Sequence, residues 1–158
     1  MKENPASQSI RNRLEPGHIS VEGFLGDDKR PLADIIAADT AKVEAAGLTV
    51  EELGKFLEDI HIAADGGWES RISVFDGKIT VRSDETLGQI PCPFACGAHC
   101  HKAVVGVKDA EGNDLLNFTP LAAHLIRAHG FFEGEGAPCR IAPDKLIELY
   151  RRCMDKKI

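Results

Sequence analysis

The sequence predicts an α+β fold, and three observations carry that prediction. Apolar residues recur at helical spacing from Pro31 to Ala64, the period falls from 3.6 to 2 after Trp68, and helical signals return at Thr119 and Pro143. Helices and hairpins are thus segregated along the chain, unlike the strict alternation of a parallel α/β sheet. With 158 residues, 43% apolar and 28% charged, the chain is long enough to bury a core without staples, and its composition excludes disorder, collagen and repeat arrays.

Taken in order, Asn4 followed by Pro5 reads as a helix N-cap with proline at the first helical position, and Pro16-Gly17 stops that helix near Leu14. Residues 17–30, GHISVEGFLGDDKR, are broken by glycines and read as an ordered loop whose Ile19, Val21, Phe24 and Leu25 pack as a clasp. A helix from about Pro31 to Ala46, capped by Asp28 or a neighbour, has Leu32, Ile35, Ile36 and Val43 on one stripe and closes at Gly47. Thr49 and Glu52 form a capping box for a second helix, which ends at Gly66-Gly67. The two should make an antiparallel helical hairpin. Ile72 and Val74 alternate across Asp76-Gly77 with Ile79 and Val81, a β-hairpin on a turn that needs positive φ. Ala103 to Val107 and Leu115 to Phe118 read as a second hairpin. Helices then follow from Pro120 to His129, stopped by Gly130, and from Pro143 to Cys153.

Nineteen Lys and Arg against twenty-five Asp and Glu leave a net charge of −6, which opposes binding to nucleic acid or anionic membranes. Residues 1–90 hold ten basic and seventeen acidic side chains, residues 91–158 nine and eight. The expected organisation is an acidic helical hairpin plus β-hairpin over 1–90 and a Cys/His-bearing segment with the C-terminal helix over 91–158, packed as one domain. The N-terminus lacks a signal-peptide apolar core and no apolar run approaches the roughly 18 residues of a membrane span, which predicts a soluble, cytoplasmic protein. Five cysteines, all of them beyond position 91, fit metal binding plus free thiols at Cys139 and Cys153 better than a disulfide framework.

The chemistry concentrates in PCPFACGAHCHK and PLAAHLIRAHG. Cys92 and Cys96 are separated by three residues, His124 and His129 by four, and 27 residues lie between the pairs. Two thiolates and two imidazoles suit a divalent ion of borderline softness such as zinc, held tetrahedrally when its role is structural. On an ideal helix His124 and His129 project about 140° apart, so both reach one ion only if the last turn tightens or unwinds, which Gly130 makes cheap. His99, Cys100 and His101 crowd the same region and read as a polar loop beyond the knuckle, with Cys100 or His101 as alternatives to His129 or Cys96.

These residues resemble the two-Cys two-His zinc finger family: a Cys pair on a knuckle, then a helix with leucine three residues before its first His. The resemblance spans about residues 92–129 and implies Cys92, Cys96, His124 and His129 as metal ligands. The family usually places about 12 residues between second Cys and first His, so the spacing here implies an inserted hairpin. The GFLG and HGFFEG segments resemble those of uncharacterised bacterial proteins, a likeness that implies no function.

Base reading is not expected, because the helix presents Pro120, Leu121, Ala122 and Ala123 where reading side chains would sit, with Arg127 as its one cation. The nearest basic group is Arg151, Arg152, Lys156 and Lys157, which reads as a solvated helix end. GLTVEELGKFL resembles the opening of helix-turn-helix modules, but no basic or amide-bearing third helix follows. His-Glu-x-x-His, Gly-x-Ser-x-Gly and phosphate-loop motifs are absent, and the deaminase pattern is not met. A catalytic zinc would need an open position, with Glu133 or Glu135 as base. The expected function is therefore a zinc-binding protein-interaction or regulatory module; the alternatives are a zinc enzyme and a nucleic-acid-binding regulator. Phe131-Phe132 is either core or an exposed anchor for a partner.

Overall fold

The computed structural model describes residues 4–154, which form α1 (Pro5–Leu14), α2 (Leu32–Ala45), α3 (Val50–Asp65), β1 (Ile72–Val74), β2 (Ile79–Pro91), β3 (His99–Asp109), β4 (Asp114–Phe118), α4 (Pro120–His129) and α5 (Pro143–Cys153). Local chemistry explains the helix starts. Asn4 accepts from the Ser7 amide at 2.8 Å, Thr49 from Glu52 at 3.1 Å and Thr119 from Ala122 at 3.0 Å. Asp28 does not cap α2. Pro31 occupies that position without a side-chain bond, and Asp28 accepts from the Arg30 guanidinium at 2.6 and 2.8 Å, a charge-assisted pair stronger than a cap contact.

The strands form one antiparallel sheet in the order β1-β2-β3-β4, so the two expected hairpins join into a meander. Asp76 and Gly77 both have positive φ at the β1–β2 turn, as that turn type requires. β2 and β3 pair from Ile79↔Asp109 to Pro91↔His99, with an irregularity between Glu85 and Gln89. This long pairing corrects the reading of His99, Cys100 and His101 as a loop: they open β3 opposite Pro91, Ile90 and Gln89. The stretch from Asp84 to Gln89 is exposed on both faces, so it leaves no period-2 signal; its ladder breaks between Glu85 and Gln89, where the Thr86 hydroxyl donates to Lys102 O at 3.3 Å.

α3 and α4 cover the inward face of the sheet, and α5 packs against α2 and α3. The expected hairpin is modified here: α3 lies chiefly along α4 rather than α2. Gly54 explains the close approach, since a Cβ there would sit 2.3 Å from the Arg127 Cβ and 2.5 Å from its Cα. The larger core joins Leu53, Phe56, Leu57 and Ile60 of α3 to Val81, Val105 and Val107 of the sheet and Leu146 and Ile147 of α5. A smaller core gathers Leu14, Phe24, Leu25, Leu32, Ile35, Cys92 and Phe131. α4 belongs to both, giving Ala122, Ala123 and Ile126 to the first and Leu121 and Leu125 to the second. Phe131 and Phe132 are both buried, which removes them as an exposed anchor. Large apolar side chains that do face solvent include Ile62, Trp68 (90% exposed) and Leu87. No helix among the described residues is long and apolar enough to cross a membrane.

Candidate metal centre

Cys92 and Cys96 lie on the knuckle between β2 and β3, and the chain reverses there for local reasons. The Cys92 amide donates to Ala98 O at 2.9 Å, the Ala95 amide to Cys92 O at 3.0 Å, and Ala95 and Gly97 take positive φ. Arg13 of α1 clamps the loop from outside, its Nε donating to Pro93 O at 2.6 Å. β3 and β4 together account for the long spacing to the histidines, since the chain makes a further hairpin before α4 brings His124 and His129 back to the knuckle.

The expected tightening or unwinding before His129 is not seen: α4 stays α-helical through His129 and is closed just beyond it by a glycine cap. Gly130 adopts left-handed φ of 63°, and the amides of Gly130 and Phe131 reach back to Ile126 O and Leu125 O at 3.0 and 3.1 Å. The two imidazoles come within 5.4 Å, centroid to centroid, at 81° to each other. Phe94 stacks on His129 at 4.2 Å and 7°, and packs edge-on against Phe131 at 5.6 Å, which fixes the ring orientation.

Cys92 Sγ lies 3.4 Å from His129 Nε2, Cys96 Sγ lies 3.3 Å from His124 Nε2, and donor atoms of all four side chains fall within 4.8 Å of one another. A tetrahedral ion with sulfur at about 2.3 Å and nitrogen at about 2.0–2.1 Å sets its donors roughly 3.3–3.8 Å apart. The cluster therefore fits one such ion with small adjustments. Cys92 is buried, Cys96 exposed, and the histidines half-buried. Burial pushes the Cys92 thiol up to about 11, with the adjacent Cys96 adding to the rise. Burial also lowers both histidines, His129 further through His124. The imidazoles are thus neutral near pH 7 with lone pairs available, and a cation is what would hold Cys92 as thiolate.

The neighbouring candidates fall elsewhere. His99, Cys100 and His101 are outside the four-donor group. All five cysteines are free thiols; Cys139 is exposed, and Cys153 sits in the larger core. Glu135 is exposed and 4.0 Å from Arg30, while Glu133 is buried, and neither joins the cluster. A second group, unforeseen in the sequence, brings His61, Asp65 and Glu85 within the same mutual distance. His61 Nε2 is buried without a hydrogen-bond partner among the described residues, 3.4 Å from Asp65 Oδ2. The i,i+4 spacing of His61 and Asp65 was legible, whereas Glu85 arrives through the sheet. No family model, curated protein or solved structure matches the chain.

Proposed function

We propose that the chain binds one zinc ion through Cys92, Cys96, His124 and His129 at a structural site, and that it acts as a protein-interaction or regulatory module. The convergence of two thiols and two neutral imidazoles from the knuckle and α4 supports the metal reading. Bound zinc would supply a crosslink between these elements, and four protein donors leave no position for a reacting water. Phe94 stacked on His129 and Arg13 clamping the knuckle orient the donors beforehand.

The interaction reading draws on two further observations. α4, the counterpart of a finger's reading helix, has six of its ten residues buried, and its Arg127 is engaged by Glu58 and Glu51. Solvent-facing Trp68 shares a surface hollow with Glu85, two residues before the fully exposed Leu87 on β2, the kind of aromatic and aliphatic surface that partners cover.

Elemental analysis of purified protein tests the proposal. One zinc per chain is expected in the wild type, with Cys92→Ser and His124→Ala each losing most of it. Undiminished metal in both variants overturns the ligand set. Salt-dependent retention on nucleic acid, or an exchangeable water on the bound metal, overturns the interaction reading in favour of a regulator of nucleic acid or an enzyme.

A further inference from the structure

Glu133 lines a cavity of about 390 Å³ between the 19–24 loop, β2, β3, the start of α4 and the 133–139 loop. Much of that wall is apolar, supplied by Ile19, Phe24, Ile90, Ala103, Leu121 and Pro138. Val21 and Val104, two of the large apolar residues left exposed, also line it, at 89% and 49% exposure. Such a volume lies at the lower end of small-molecule sites.

Glu133 is 4% exposed. The neighbouring cation, Arg140, is committed elsewhere: it donates to both Asp39 oxygens at 2.8 and 3.0 Å and to the Glu133 main-chain oxygen at 2.6 Å. Glu133 also adopts positive φ of 72°, a strained state for a non-glycine residue. The chain is held there by the Gly134 amide donating to Phe24 O at 2.8 Å, and by a packing so close that a Cβ on Gly134 would lie 2.2 Å from Leu25 O. Burial pushes the carboxyl up to about 8, with Arg140 opposing. The other titratable groups lining the cavity are Glu22, Asp84, His101, Lys102 and Cys139, so carboxylates outnumber ammonium groups on its walls. Burial disfavours the charged carboxylate of Glu133, and in a largely apolar cavity of acidic balance a cation with a hydrophobic body would supply the counter-charge that burial denies it.

We propose that this cavity binds a small organic amine, its ammonium group donating to the Glu133 carboxylate and its alkyl or aryl body lying against Phe24, Ile90 and Leu121. The site is independent of the metal reading, since none of the four proposed zinc ligands lines the cavity.

Two-dimensional amide NMR of the full chain as purified tests it, with phenethylamine, 2-phenylethanol and phenylacetate as probes. Phenethylamine at millimolar concentration is expected to shift the amides of Ala103, Leu121 and Glu133, the alcohol to bind about 10- to 100-fold more weakly, and the carboxylate to leave the spectrum unchanged. Glu133→Gln should weaken the amine by the same factor. Val104→Trp, at a half-exposed strand position, should keep the native spectrum and lose the amine-induced shifts, which preserves the test if Glu133→Gln does not fold. Absence of amine shifts, equal binding of the alcohol, or retained binding in Glu133→Gln or Val104→Trp overturns the proposal.

Discussion

Asp28 ties three pieces of chain together: it accepts from the Arg30 guanidinium and backbone, and from the Glu135 amide at 3.2 Å across 107 residues. The Arg30 guanidinium holds its carboxyl well below the usual carboxylate range, with the amides adding to the effect and burial opposing it. A depressed folded-state value contributes stability that is fully present above the unfolded value of about 3.9 and is lost as pH falls through the lower folded one. Asp28→Asn should therefore destabilise the protein at neutral pH and narrow its difference from wild type on acidification below about pH 4. Urea melts of both proteins between neutral pH and about pH 2 check this, a constant difference counting against it. Residues of this kind were poorly legible in the sequence, because nothing local marks Glu135 as a partner of Asp28. The clustering of Cys92, Cys96, His124 and His129 was legible because thiol and imidazole pairs carry their own spacing rule. Phe131 and Phe132 were ambiguous because an aromatic pair suits a core and an interface equally well.

At the scale of elements, α4 shows where sequence reasoning succeeds and where it stops. Thr119, Pro120 and Gly130 marked its ends, and the structure keeps them. Its packing partner was invisible, since α3 offers Gly54 in mid-helix as a propensity cost of about 1 kcal/mol with no stated return. The return is contact with the backbone of α4. Gly54→Ala should gain helix propensity yet lose about 1–3 kcal/mol net, because its Cβ would overlap Arg127 Cα and N at 2.5 and 2.6 Å. Thermal denaturation by circular dichroism measures the sign, and a stabilised variant would show that the helices can part without cost. The long β2–β3 pairing escaped notice for the opposite reason: hydrogen-bonded backbone holds it where side chains give no alternation.

Across the whole molecule, α4 is the wall between two cores, and the proposed ion sits at its C-terminal end beside the smaller one. If zinc ties the knuckle to α4, its removal should loosen Cys92, Phe94 and Phe131 first and lower the stability of the whole chain through the shared helix. A strong chelator is therefore expected to lower the melting temperature, with re-addition of zinc restoring it; an unchanged melt would place the ion outside the folding balance. The α+β class was readable from period and turn chemistry alone. The joining of two hairpins into one sheet and the cavity beside Glu133 depended on contacts between distant segments that no local pattern encodes. Trp68, the sole tryptophan, stands almost wholly in solvent. Its emission should already be red-shifted in the native state and change little when the chain melts, so it serves as an optical sentinel for whatever settles on that face, a blue shift on mixing marking contact there.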